Sequence, residues 1–238
     1  MAKYRLYWYP GTCSRIPYVA LEEIGEPYEV VLVDKLGDLD PGYLDINPKN
    51  KVPTLTIGSL TVTENPAIQT FLARRHPEAR LLPTGSLEKD VEVLETISWF
   101  AAGVHPYVTR LRFPRFFTDR TDAYDSIRAV ARTQLEEAFA IIESRLDGRE
   151  WLFDDWSLPD VHLLWLWFRA SGSGMDGSAY PRCIDHARRC EARPSVATIL
   201  EHEEAEFRRL SEEGRVPAGI PDFQAGRSPV FDPSPWAT

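Results

Sequence analysis

The chain has few cysteines and no long apolar run, and each absence excludes a class of protein. Its three cysteines, Cys13, Cys183 and Cys190, are too few and too scattered for a disulfide framework or a closed zinc site. No apolar run approaches the roughly 18 residues of a membrane span, and no signal-peptide core follows Met1. We therefore expect a cytoplasmic protein that neither inserts into a membrane nor holds a metal.

Basic residues are also in deficit, with 27 Lys and Arg against 36 Asp and Glu, a formal net charge of -9. Affinity for phosphate backbones and anionic membranes is largely contributed by Lys and Arg, so this balance argues against both partners. Apolar residues make up 43% and charged residues 26% of the chain, as in folded globular proteins. A small-molecule partner is the expectation that remains.

Periodicity divides the chain into an α/β part and an all-α part. Residues 1–76 predict the order β-α-β-α-β-β-α, in which helices cover a small mixed sheet. Residues 77–85 break every period and predict a linker. Residues 86–213 predict an all-helical domain, and the proline-rich residues 214–238 predict an irregular tail. The helices of the second domain are predicted over residues 86–117, 121–147, 157–171, 181–191 and 194–213.

A thiol stands at the turn between the first strand and the first helix, in Tyr9-Pro10-Gly11-Thr12-Cys13-Ser14. The free N–H groups and positive end of a helix start favour an anion, so Cys13 is a candidate reactive thiolate. Burial as a packing residue is the commoner fate of a free cysteine. From position alone both interpretations stay open.

Two further motifs follow in the same domain. Val52-Pro53 starts a strand; with a cis bond, Val52 can present its N–H and C=O to an extended peptide, whereas a trans bond is the commoner form. Glu64 and Asn65 stand at a helix start, where a carboxylate can accept from an ammonium and N–H groups can bind a carboxylate. Helix capping by Asn65 alone explains the same residues.

Together these motifs resemble the N-terminal half of the cytosolic glutathione transferases, and the cysteine turn is similar to that of the bacterial beta class. Asn50 replaces the family's glycine in Asn-Pro-x-Gly-x-Val-Pro, a change that asparagine tolerates at positive φ. Lys51 replaces the usual glutamine, and Asn65 the usual serine. The resemblance implies a thioredoxin-like domain followed by an all-helical domain, usually as a homodimer.

The helical domain carries an independent match. Ser157 and Asp160 have the form of a capping box, similar to the family's structural Ser-x-x-Asp motif. The resemblance also places His105 on the helix that walls the active site, although a lone helix histidine is usually structural. Tyr107, Phe113 and Arg115 flank a predicted bend at Pro106 and Pro114 and are our candidates for an apolar second-substrate pocket.

The resemblance implies glutathione as co-substrate, bound by Lys51, Val52, Pro53, Glu64 and Asn65, and an electrophilic second substrate. Cys13, Ser14 or Tyr9 would contact the glutathione thiol, with His105 nearby. Glutathione conjugation in detoxification is the first functional hypothesis. The alternatives are thiol–disulfide exchange, lyase or dehalogenase chemistry at Cys13, and a relative that binds glutathione without catalysis.

Overall fold

The computed structural model describes residues 4–34 and 41–216. These residues form two compact units. One unit comprises the chain up to Leu82 together with the stretch from Arg193 onward, and the other is Pro83–Ala192. Beyond residue 216 the predicted tail lies outside the described part of the chain.

The first unit is built on a four-stranded mixed sheet. Its strands are β1 (Tyr4–Trp8), β2 (Tyr28–Leu32), β3 (Thr54–Ile57) and β4 (Leu60–Thr63), in the order β2-β1-β3-β4. The central strand β1 pairs parallel with β2 and antiparallel with β3, and β3 pairs antiparallel with β4. Leu6 on β1 is fully buried opposite Val30 and Leu55, so the apolar centre of the sheet fixes the register.

The helices of this unit are α1 (Arg15–Ile24), α2 (Pro41–Ile46), α3 (Asn65–Arg75) and α9 (Pro194–Glu212). The first three follow the predicted βαβαββα order, which confirms the α/β fold of the N-terminal part. Helix α1 ends at Gly25, whose φ of 71° is the left-handed conformation that a glycine cap supplies. Helix α9, which periodicity alone groups with the helical domain, packs against α1 and belongs to this unit.

The described residues of the second unit form helices joined by turns, with no strand among them. Its helices are α4 (Leu87–Trp99), α5 (His105–Arg112), α6 (Tyr124–Arg145), α7 (Leu158–Ser171) and α8 (Pro181–Glu191). Helix α7 is buried along nearly its whole length and forms the centre of the unit. Asp160 accepts hydrogen bonds from the N–H of Ser157 and of Leu152, both at 2.9 Å, so the predicted capping box is confirmed.

The single long helix predicted over residues 86–117 is interrupted. A π-helical turn, Phe100–Val104, separates α4 from α5, and Pro106 follows in the first turn of α5. Proline has no N–H and its ring clashes with the carbonyl four residues earlier, so the backbone widens ahead of it. The expected bend is therefore present as a change of helical winding, and α5 ends just before Pro114.

Candidate active site

The turn between β1 and α1 is held by its own hydroxyl groups. Ser14 is fully buried, and its Oγ lies 2.6 Å from Thr12 Oγ1 and 3.2 Å from the Tyr9 carbonyl oxygen. The same Oγ accepts from the Tyr9 N–H at 3.3 Å. The hydroxyl of Ser14 thus closes the turn, and the Tyr9 side chain is also buried, at 4% exposure.

Cys13 lies next to residues of the two other predicted motifs, Val52-Pro53 and Glu64-Asn65. Its Sγ lies 3.7 Å from the carbonyl oxygen of Val52, and its own carbonyl oxygen accepts from Asn65 Nδ2 at 3.1 Å. These partners are 39 and 52 residues away in sequence. The side chain of Cys13 remains 8% exposed. The fold therefore brings a thiol, the Val52 backbone and the start of α3 together.

The loop before β3 presents Val52 through a set of partly buried hydrogen bonds. Asn47, at 1% exposure, donates from Nδ2 to the carbonyl oxygen of Lys51 at 2.8 Å, and Tyr43 donates to the same oxygen at 2.5 Å. Asn50 adopts a φ of 49°, as its replacement of glycine predicts. The Val52-Pro53 bond is cis, and the N–H of Val52 makes no hydrogen bond to the described residues. Lys51 contributes its carbonyl to this scaffold, and its side chain is exposed.

Glu64, the residue before α3, has an unusual backbone and an exposed carboxylate. Its φ is 71° and its ψ 126°, a region that residues other than glycine rarely adopt. Its Oε1 lies 2.5 Å from Lys49 Nζ, which also donates to Thr63 Oγ1 at 2.6 Å. Lys49 is not among the site residues predicted from the sequence. The feature that could have indicated it is its position in the Asn-Pro-x-Asn segment.

A buried ion pair lies directly next to the turn between β1 and α1. Arg15 follows Ser14 directly, and its Nε and Nη2 donate to Glu203 Oε2 on α9 at 3.1 and 2.6 Å. Both side chains are fully buried. Arg193, the residue before α9, donates to Glu23 on α1 at 2.7 Å. These contacts join α9 to α1, which explains why the helix belongs with the sheet.

The predicted residues of the second unit lie together on α5 and the turn after it. His105 opens α5 with its ring centroid 4.5 Å from that of Trp165 on α7. Tyr107 lies two residues further along α5, Phe113 directly follows the helix, and Arg115 lies in the 3₁₀ turn after it. His162, which the sequence did not single out, is fully buried beside Trp165, and burial together with the nearby His105 lowers its pKa to about 3.

Within the described ranges no group of three or more His, Cys, Asp and Glu side chains is placed to hold a metal ion. None of the described helices is long and apolar enough to cross a membrane.

Comparison with known proteins identifies the family. Residues 11–75 match the N-terminal domain of glutathione S-transferases. A sphingomonad glutathione S-transferase, solved in complex with glutathione, is 30% identical with a TM-score of 0.74 and is matched over 84% of this chain and 98% of its own. The beta-class enzyme of Sphingomonas chungbukensis gives 30% identity, the same coverage and a TM-score of 0.73.

A third relative has a different activity in its name. The disulfide-bond oxidoreductase YfcG of Escherichia coli is 25% identical over 208 residues, or 82% of this chain and 93% of that protein. The relatives of this chain thus include proteins named for glutathione transfer and one named for disulfide-bond oxidoreduction. The chain belongs to the bacterial glutathione S-transferase family, as its motifs predicted, and is a glutathione transferase.

Proposed function

We propose that the first unit binds glutathione and activates its thiol beside Cys13 for attack on an electrophilic second substrate. The observation that supports this most is the convergence of Cys13, Val52 and Asn65, which lie far apart in sequence. Among the described residues nothing accepts from the Val52 N–H, and the Val52 carbonyl oxygen lies beside the thiol, so the cysteinyl part of an extended tripeptide can pair with this residue as an added strand would.

The start of α3 suits the γ-glutamyl end of glutathione. The Glu64 carboxylate would accept from the ammonium, and the N–H groups that open α3 would bind the α-carboxylate. Asn65 already donates one amide hydrogen to Cys13 and has a second to offer the ligand, while its buried Oδ1 has no hydrogen-bond partner among the described residues. The exposed pair of Glu64 with Lys49 is worth at most about 1 kcal/mol, so a ligand ammonium can displace it at little cost.

The geometry favours Cys13 over its neighbours as the group that contacts the glutathione thiol. The hydroxyl of Ser14 is engaged within the turn, and Tyr9 is buried in it. The start of α1 and a donor from Cys13 would stabilise the glutathione thiolate. The thiolate then forms a bond to the electrophilic carbon, and the leaving group departs with the electron pair of the bond that breaks. His105 and the pocket residues Tyr107, Phe113 and Arg115 remain candidates on the second unit.

Thiol–disulfide exchange is a second candidate, favoured by the position of Cys13 as the thiol nearest Val52. Its thiolate would attack a glutathione mixed disulfide, forming a new disulfide to Cys13 and releasing the substrate thiolate; glutathione then reduces Cys13 and leaves as oxidised glutathione. The relative named for disulfide-bond oxidoreduction supports this chemistry. Incubation with oxidised glutathione followed by peptide mass spectrometry tests it. An adduct on Cys13 supports exchange, and an adduct confined to Cys183 or Cys190 contradicts it.

We further propose a cytoplasmic homodimer that acts in detoxification. Helix α4 exposes an apolar stripe at the spacing of one helical face: Leu87, Val91 and Leu94 are 75%, 57% and 51% exposed. An unpartnered stripe of this kind is typical of a subunit interface. Val91→Glu should give a monomer in light scattering, whereas the control Val130→Glu, 59% exposed on α6, should not. A dimer that survives Val91→Glu would contradict this placement.

Binding of glutathione is tested by titration calorimetry on Glu64→Ala and Asn65→Ala. Each variant removes a charge-assisted contact, so each should weaken binding by about 1.5 to 3 kcal/mol. The matched control is Glu78→Ala, which removes an exposed carboxylate from the same unit. Unchanged affinity in both variants, with folding verified by circular dichroism, would contradict the placement of the γ-glutamyl end.

A further inference from the structure

The second unit contains a short stretch whose charge opposes that of the whole protein. Residues 107–117, Tyr-Val-Thr-Arg-Leu-Arg-Phe-Pro-Arg-Phe-Phe, hold three arginines and no Asp or Glu in a chain of net charge -9. We call this stretch the basic aromatic segment. It comprises the end of α5 and the 3₁₀ turn that follows. Arg110, Arg112 and Arg115 fall within six residues, so the positive charge is confined to a small area.

Each of the three arginines lies over aromatic rings of the same segment. The Arg110 guanidinium carbon is 4.7 Å from the ring centroid of Phe117, and that of Arg115 is 5.3 Å from Phe116. Arg112 and Arg115 both lie 5.4 Å from Phe113. A guanidinium stacked on a ring keeps its N–H edge for an acceptor in its own plane. The rings therefore hold the three cations in place without using their donors.

None of the three arginines forms an ion pair or a hydrogen bond with the residues that the structure describes. Arginines just beyond the segment behave differently, since Arg120 binds Asp122 at 2.7 Å and Arg128 binds Asp125 at 3.3 Å. Arg112 is the most telling, because its Nε is buried without a hydrogen bond. Burial also lowers the pKa of this guanidinium. An anion that accepted from it would offset the cost of burying an unpaired donor.

The exposed rings indicate what the anion is attached to. Phe116 is 61% and Phe117 45% exposed, which is unusual for large apolar side chains beside three cations. A flat aromatic group can pack on these rings, while a carboxylate in the same plane accepts from one guanidinium in bidentate geometry. We propose that the basic aromatic segment binds a planar aromatic carboxylate, and that this is the class of the second substrate. The assignment as substrate rests on the proposed transferase function, whereas the binding itself does not.

The probe pair is 1-naphthoate and 1-naphthalenemethanol, which share a ring and differ in charge. Titration calorimetry on the full chain should show naphthoate binding about tenfold more tightly than the alcohol, since one charge-assisted hydrogen bond is worth that factor or more. Raising the ionic strength should weaken only the naphthoate. The triple variant Arg110→Gln/Arg112→Gln/Arg115→Gln, which removes all three cations of the segment, should reduce the preference to about twofold or less in protein whose folding is verified by circular dichroism.

The control is Arg128→Gln, which removes an arginine that lies over the Tyr124 ring in the same unit but already has a carboxylate partner. It should keep the preference for naphthoate. Equal binding of the two probes to the unmodified protein, or an unchanged preference in the triple variant, would overturn the inference. Glutathione titrated into the same samples separates the two proposals, because an unmodified protein that binds glutathione but not naphthoate contradicts only the aromatic-anion site.

Discussion

The cysteine turn of the first unit and the basic aromatic segment of the second present polar groups in opposite ways. Around Cys13 the groups available to a ligand are mainly backbone groups and helix ends, held by buried side chains such as Asn47 and Ser14. In residues 107–117 they are arginine side chains, partly buried at Arg112 and exposed at Arg115, that lie over aromatic rings. Backbone groups do not vary with the residue, so the arrangement around Cys13 suits a ligand that is always the same. Side chains do vary, so the arrangement in residues 107–117 suits a ligand that differs from one relative to another.

The two units also differ in how they bury ionisable groups. The first places a charge pair, Arg15 and Glu203, directly under the turn. The second buries a neutral histidine, His162, and an aspartate whose oxygens are taken up by the start of α7 and by His186 at 2.8 Å. We therefore expect substitutions of the buried ionisable residues of the first unit to weaken glutathione binding. Substitutions of those in the second unit should change only the free energy of unfolding.

The largest effect is expected from Glu203→Gln, which removes the carboxylate charge that pairs with the buried Arg15 cation. Removing one partner of a buried ion pair costs about 3 to 5 kcal/mol, so the free energy of unfolding in urea should fall by that amount. Glutathione affinity should fall as well, because Arg15 adjoins Ser14. The double variant Arg15→Met/Glu203→Met should recover most of the stability. A Glu203→Gln protein with unchanged stability and unchanged glutathione affinity would contradict this comparison of the two units.

A smaller, pH-dependent effect is expected from His162. Its pKa is lowered to about 3 in the folded protein by burial and by the nearby His105, whereas the unfolded chain takes up the proton near 6.5. Between these two pKa values the unfolded state binds more protons at His162 than the folded state does. The contribution of the neutral His162 to the free energy of unfolding is therefore fully present at pH 7 and is lost as the pH falls.

At pH 5 this loss amounts to roughly 2 kcal/mol. Urea unfolding of the unmodified protein and of His162→Gln at pH 7 and pH 5 measures it. The variant should lose less stability on acidification, and parallel losses in the two proteins would contradict the assignment. Glutathione affinity at pH 7 should be the same in both.

The smallest effect is expected from Ser157→Ala, which removes the cap of α7. Loss of an N-cap side chain costs about 1 kcal/mol, and the melting temperature should fall accordingly. Glutathione affinity should not change, because the cap lies in the second unit. A loss of glutathione affinity in the folded Ser157→Ala variant would contradict the proposal that glutathione binding belongs to the first unit alone.

The sequence predicted the parts of the fold and site that depend on local rules. The proline and glycine signals placed the strands and helices of the first unit, and Asn50 was rightly expected to tolerate positive φ. It did not predict the engagement of Ser14 within the turn, because a hydroxyl's partner depends on the exact turn geometry. The pairs of Arg15 with Glu203 and of Lys49 with Glu64 join residues with no local relation, and periodicity carries no record of such contacts.

A crystal structure with glutathione bound tests the central claim most directly. The account predicts that the cysteinyl backbone of glutathione pairs with Val52, that its γ-glutamyl end lies at Glu64 and Asn65, and that its sulfur is within hydrogen-bond distance of Cys13 Sγ. Glutathione bound with its sulfur directed away from Cys13, or bound without contact to Val52, would contradict it.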